Sequence, residues 1–210
     1  MQINFGIRLL QQQTKGGIMR VRISKRNKKL GKVANVSLAP RISCVPNAPC
    51  FRKCYADKAY RMYPNCKWAW DNNTTLAKHY PDVYFNDIGD FLLKDKTELF
   101  RWHTCGDILD QNYFDHMAEL ANHFKNRAFM AFTKRHDLIY TAAPNNLSMV
   151  LSMWPNWGKI DDSGLARAWM QDGNENRIPS KVVHCPGKCE TCGICWRLNK
   201  LHKDVVFMQH

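Results

Sequence analysis

Apolar residues gather in short runs separated by polar, turn-forming stretches. Leu99-Phe-Arg-Trp-His103, Ala128-Phe-Met-Ala-Phe132 and Leu147-Ser-Met-Val-Leu151 have the length and composition of strands covered on both faces. Between the first two, Phe114, Met117, Ala121 and Phe124 recur at helical spacing and predict a helix from about Asn112 to Phe124. Residues 67–80, after the Pro64-Asn65 break, and Val83–Leu93 read as two more helices. Val33–Leu38 reads as the first buried strand, with a short one before it around Met19–Ile23. Lys181–His184 and Val205–Met208 complete the strands, and Leu165–Gln171 has the composition of a short helix. Strands alternating with helices predict an α/β fold with a mostly parallel sheet. The strands are too few for a full eight-fold barrel, so a reduced or partial (β/α) barrel is expected.

Cysteine changes this picture from a generic α/β domain to a metalloprotein. Cys185, Cys189, Cys192 and Cys195 fall within eleven residues, and Cys44, Cys50, Cys54 and Cys66 form a looser second group. Cys105 stands apart. Thiolates so close together are soft-metal ligands. The compact C-x3-C-x2-C-x2-C run is nearer to iron–sulfur runs than to the paired C-x2-C elements of zinc sites, and zinc is kept as the alternative. Its first three cysteines also match the spacing of radical S-adenosylmethionine enzymes. There, however, the motif follows the first barrel strand, so the match at this end of the chain is read as coincidence.

Charge divides the chain again. Residues 1–56 hold twelve Lys or Arg and no Asp or Glu, whereas the rest is nearly balanced, within a net charge of +13. A basic N-terminal arm over 1–32 is expected, then an α/β core over 33–183 and a cysteine-cluster segment over 184–210. The arm suits phosphate, most simply nucleic acid, or else a solvated face. No apolar run has the length of a membrane span, and no signal-like segment opens the sequence, so a cytoplasmic protein without a membrane partner is expected.

Ligands of parallel α/β folds sit at the C-terminal ends of strands. Three strands here end in polar residues: His103-Thr-Cys-Gly-Asp107, Thr133-Lys-Arg-His136 and Ser152-Met-Trp154. Asp107 reads as a site carboxylate or a turn residue, and Lys134 and Arg135 as anion ligands or solvated charges. Cys105 reads as a reactive thiol, a further ligand or a small core residue.

Several of these pieces occur together elsewhere. Val36-Ser-Leu-Ala-Pro40 precedes Cys44, and Cys50-Phe-Arg-Lys-Cys54-Tyr-Ala56 follows it. Phe100-Arg-Trp-His-Thr-Cys-Gly-Asp107, Phe132-Thr-Lys-Arg135, Asn146-Leu-Ser-Met-Val-Leu-Ser152 and the terminal cysteine run come next. Over roughly residues 33–196 their order resembles the gene product 88 family of mycobacteriophages and their relatives. That family is similar to phage proteins regarded as radical S-adenosylmethionine-like. The resemblance implies a 4Fe–4S cluster on Cys44, Cys50 and Cys54, with the C-terminal four holding an auxiliary cluster or completing the first. It further implies Asp107, Lys134 and Cys105 as catalytic candidates, and Tyr55, Asp107 and Ser152 as contacts of S-adenosylmethionine. The activity implied is reductive cleavage of that cofactor at an open iron, on a nucleotide or nucleic-acid substrate, in the host cytoplasm of a phage. The Cys44-x5-Cys50-x3-Cys54 spacing differs from the standard C-x3-C-x2-C motif. A non-catalytic nucleic-acid-binding protein, stapled by zinc or an inert cluster, is the competing expectation.

Overall fold

The computed structural model describes residues 13–14, 17–27, 30–51, 54–154, 157, 163–171 and 177–208. The first elements are β1 (Gln13–Thr14) and β2 (Gly17–Ile18), a small antiparallel pair, then β3 (Ile23–Ser24) and β4 (Ala34–Val36). Three helices follow: α1 (Tyr55–Met62), α2 (Pro64–His79) and α3 (Pro81–Lys94). Then come β5 (Leu99–Trp102), α4 (Gln111–His123), β6 (Ala128–Thr133), β7 (Leu147–Met153) and β8 (Ala166–Gln171). The chain ends with β9 (Val182–His184), α5 (Cys189–Cys192), a 3-10 turn over Ile194–Arg197, α6 (Leu198–Leu201) and β10 (Asp204–Met208).

Helix starts follow local chemistry. Pro64 and Pro81 open α2 and α3, where a missing N–H costs nothing. The Asp110 carboxylate caps α4 by accepting from the Tyr113 N–H at 2.8 Å.

The main sheet runs β3-β4-β5-β6-β7-β8-β10-β9, antiparallel only at β3–β4. Its edges, β3 and β9, do not meet, so the sheet is open. The expected α/β class with a mostly parallel sheet is met at that level, and among the described residues the sheet does not close into the expected reduced or partial barrel. Every residue of β7 is buried, as a central strand covered on both faces requires.

Alternation along the strands separates two cores. Phe100, Trp102, Phe129, Ala131, Met149 and Leu151 face α2, α3 and α4. Leu99, Met130 and Val150 face the other way, against Cys195, Trp196 and Leu198 of the C-terminal segment. The cysteine run therefore forms the second layer over the sheet.

One element departs from expectation. Leu165–Gln171 reads as a helix from its Ala, Arg, Met and Gln content, yet residues 166–171 form β8 between β7 and β10. The slot overrides propensity. The Asp204 carboxylate accepts from the Arg167 backbone N–H and the Trp169 indole N–H, both at 2.8 Å, and fixes the strand there.

The described part of the basic stretch is docked on the helices. Arg20 pairs with Asp87, the Arg22 N–H donates to the Asn73 side chain at 2.8 Å, and Lys25 lies 3.1 Å from Asp95. Residues 1–12, 15–16 and 28–29 of that stretch lie outside the described residues. Among the described residues, no helix is long and apolar enough to cross a membrane.

Candidate functional site

The loops after β4 and β5 are laced together at the C-terminal rim. The His103 N–H donates to the Val36 carbonyl (2.9 Å), the Leu38 N–H to Cys105 (3.0 Å) and the Asp107 N–H to Ser43 (3.2 Å). Gly106 makes this approach feasible. Its φ is +87°, and a Cβ there would stand 2.6 Å from Ser43 Oγ and 2.7 Å from Leu38 Cβ. The lacing sets Cys44 near Cys105 and Asp107.

Three thiols rise from this rim. Cys44 lies in the loop, Cys50 in a 3-10 turn (Pro49–Phe51), and Cys54 at the N-cap of α1. Burial pushes the Cys44 thiol up to about 11, and the nearby charges of Asp107, Cys54 and Cys50 push the same way. Cys105 is buried within this group. Desolvation, with Cys44 and Cys54 close by, drives its thiol far above the ordinary range, which makes it a poor nucleophile as it stands. Cys66, on α2, lies within electrostatic reach of Cys105.

Tyr55 opens α1 and is 78% exposed, yet its hydroxyl donates inward to the Thr104 carbonyl. Desolvation at that hydroxyl pushes it up to about 12, against the opposing charge of Arg101. The ring is thus open to solvent while its hydroxyl is desolvated. In the core, His103 Nε2 lies 2.9 Å from the Tyr113 hydroxyl, which donates to Tyr84. Burial holds the His103 imidazole neutral, down to about 3.

Asp107 is buried and fully engaged. It accepts from the Ile108 N–H (2.8 Å), the Thr133 hydroxyl (2.6 Å) and the Lys134 N–H (2.9 Å). Desolvation still raises its carboxyl above the ordinary value, with Lys134 opposing. With both oxygens committed, Asp107 braces the ends of β5 and β6 and acts as a positioning residue.

A pocket of about 880 Å³ opens beside this brace, lined by Cys44, Lys78, Asp110, Lys134, Arg135 and His136 among others. Arg135 spends its guanidinium on Asp137 and on the carbonyls of Ile108 and Leu109. Lys78 donates to the Ile42 carbonyl at 3.0 Å. Lys134, next to Asp107, is the cation best placed for a ligand. Ser152 is buried at the end of β7, and its carbonyl lies 3.0 Å from His136 Nε2.

The C-terminal thiols form a separate group. Cys185 continues from β9, its N–H bonded to the Val206 carbonyl at 3.0 Å. Cys189 and Cys192 bracket α5, Gly193 turns the chain in the left-handed region, and Cys195 lies in the 3-10 turn. Burial pushes Cys195 up to about 12, with Cys185, Cys189 and Cys192 adding to it and Arg101 opposing. Trp196 pins the segment by donating its indole N–H to the Phe100 carbonyl at 2.9 Å. Among the described residues, no three His, Cys, Asp or Glu side chains stand close enough together to enclose a single metal ion.

Two features escape the sequence reading. Cys105 joins the rim thiols because of the lacing, which spacing cannot reveal. Arg101 lies within electrostatic reach of both Tyr55 and Cys195, and the signal for it was a charged residue inside an apolar strand.

Searches of curated proteins and of solved structures find no match. The family model described as Gene product 88 matches residues 8–198, a span that includes most of the basic stretch as well as both cysteine groups. With the shared motifs lying at the rim and in the cysteine run, this chain belongs to the gene product 88 family.

Proposed function

We propose that this protein binds iron–sulfur clusters and acts as a radical S-adenosylmethionine-type enzyme on an anionic, nucleotide-like substrate. The observation that carries this reading is the placement of Cys44, Cys50 and Cys54 at one rim, with Cys44 also lining a large pocket. A donor set of three thiols suits a cluster with one iron left open to a ligand. The half-buried Arg101, whose Nε has no hydrogen-bond partner among the described residues, is within electrostatic reach of Tyr55 and suits an anionic group. When bound, the cluster would supply the electron that cleaves the methionine cofactor.

The chain's own residues would do the rest. Asp107 holds the β5 and β6 ends in register, so that Lys134 faces the pocket. Lys134 would bind the substrate's phosphate or carboxylate as a point charge. Tyr55 and its Thr104 partner would close one wall against water, and Ser152, buried at the end of β7, would border the cofactor. Cys105, with its thiol held protonated, would pack beneath the cluster.

Anaerobically purified protein should be brown, with matched iron and acid-labile sulfide, and should cleave S-adenosylmethionine under dithionite. Colourless protein carrying zinc without sulfide would sink the proposal and favour a zinc-stapled nucleic-acid-binding protein. Brown protein that neither binds nor cleaves the cofactor would leave the cluster and remove the enzyme.

A further inference from the structure

The corner between α1 and α2 exposes side chains that the core does not use. Residues 61–65 are all exposed, and Lys67 and Trp68 follow them at the surface. Tyr63 is 59% and Trp68 54% open to solvent, and large rings gathered bare in one place mark an interaction surface. The corner is nonetheless well held. The Tyr60 and Trp70 rings stack across it with centroids 6.2 Å apart, and Lys67 Nζ lies 4.8 Å from the Tyr60 centroid. Asn73, buried on α2, accepts from the Arg22 N–H at 2.8 Å and donates to the Arg22 carbonyl at 2.9 Å. That clamp lays the Arg22 guanidinium over the Trp68 ring, 4.4 Å from its centroid.

Charge selects the partner. The carboxylates of α1 and of the first half of α2 are already spent, Asp57 on Arg41 and Asp71 on Lys67 and Tyr60. Among the described residues, no carboxylate pairs with Arg22, Lys58 or Arg61. Tyr55, Lys58 and Met62 stand at i, i+3 and i+7 of α1 and so share one face of that helix. The face is about 12 Å long at the usual helical rise, with Tyr55 next to Cys54 at one end and the corner at the other. Rings interleaved with unpaired cations match the bases and phosphates of an unpaired strand. A duplex keeps its base faces stacked inside and offers the rings nothing. A second copy of this chain would bring the same positive face against itself. A bilayer would take up a broad aliphatic face, and Met62 alone does not supply one.

We infer that the α1–α2 corner, together with Arg22, is a docking surface for single-stranded nucleic acid, with bases stacking on Tyr63 and Trp68 and phosphates meeting Arg22, Lys58 and Arg61. None of these side chains lines the pocket, so the surface lies beyond the site described above and stands whether or not the thiols hold a cluster. The basic stretch expected from the sequence contributes Arg22 alone to it. The rings and the other cations come from helices outside that stretch, which is why charge counting along the chain does not reveal the surface.

The test is fluorescence anisotropy of a labelled oligothymidylate of about 12 nucleotides, titrated with the full-length protein over a series of salt concentrations. Trp68→Ala should weaken binding about tenfold and Trp68→Phe much less, because stacking needs a ring rather than the indole itself. Lys58→Gln with Arg61→Gln should lower the slope of log affinity against log salt by about 1.4, the share of two phosphate contacts on a single strand. Lys200→Gln, an exposed cation on α6, should change neither quantity. Should Trp68→Ala fail to fold, Tyr63→Ala at the exposed helix junction decides in its place. No binding by the wild type, equal affinity for a duplex of the same length, or wild-type affinity in the Trp68 and Tyr63 variants would each overturn the inference. So would binding to phosphatidylserine vesicles that is lost in Trp68→Ala while the oligonucleotide stays unbound. Iron-free protein that binds the oligonucleotide through Trp68 would keep this surface and remove the cluster reading, and brown protein that ignores the oligonucleotide would do the reverse.

Discussion

Cys44 lies half-buried in a loop beside an open pocket, while Cys195 sits in a closed core with Trp196 and Leu198. Both thiols are pushed up mainly by burial, yet their settings differ in what can reach them. The rim group is held by backbone hydrogen bonds between loops, and small movements of those loops would change it. The C-terminal group is held by packing on β6 and β7, by the Trp196 indole hydrogen bond and by the Cys185 backbone bond to Val206. A site that must admit a ligand belongs on loops, and a site that only holds charge can be sealed. The rim can admit a ligand without unpacking the core, and the sealed group cannot.

Substitutions should separate the two regions, with the largest effects on the rim's chemistry. Cys50→Ser should reduce S-adenosylmethionine cleavage to background while the thermal melt changes little, since Cys50 contributes no buried core surface. In the sealed region the order should reverse. Trp196→Ala should cost about 3–5 kcal/mol in chemical denaturation, because it empties a core position and removes the bond to Phe100. Trp196→Phe should cost less, about 1–2 kcal/mol, leaving one buried carbonyl unpaired.

Much of this comparison was legible in the sequence, and the missing parts have physical causes. Strands β5, β6 and β7 announced themselves because buried parallel strands are continuous apolar runs. β8 did not, because its residues are helix formers and only its neighbours make it a strand. The two cysteine groups were visible from spacing. Their different surroundings were not, since which face of the sheet a segment covers is a tertiary property. Asp107 was correctly placed at the rim, but its three hydrogen bonds, and so its bracing role, depend on Thr133 and Lys134 arriving from another strand.

Asp107→Asn tests that brace. An amide replaces an acceptor-only group facing three donors, so a loss of about 1–3 kcal/mol is expected in urea denaturation. The pocket's affinity for pyrophosphate, used as a probe of Lys134, should fall several-fold by calorimetry. A variant with wild-type stability would show that the carboxylate does not hold the strand ends together.

Acid should distinguish the buried His103 network. The folded imidazole titrates near 3 against an ordinary 6.5, so between those values the unfolded chain binds a proton that the folded one refuses. Stability is therefore lost as pH falls from about 6.5 toward 3, at up to roughly 1.4 kcal/mol per pH unit. The raised carboxyl of Asp107 works in the opposite sense, favouring the fold as acid is added, and offsets part of this. His103→Asn accepts the positive φ of 51° and should flatten the slope of denaturation midpoint against pH. The smallest effect belongs to the surface. Arg20→Ala removes an ion pair that is half exposed on the arginine side and should cost under about 1 kcal/mol, less at high salt.

The most direct test of the division between rim and sealed core is an iron and sulfide count on three anaerobically reconstituted proteins. These are wild type, a triple Cys44, Cys50 and Cys54 to Ser variant, and a quadruple variant of Cys185, Cys189, Cys192 and Cys195. Each variant should retain about half of the wild-type iron, and only the one keeping the rim thiols should change its paramagnetic signal when S-adenosylmethionine is added. Full iron in either variant, or loss of all iron in both, would contradict two separate centres.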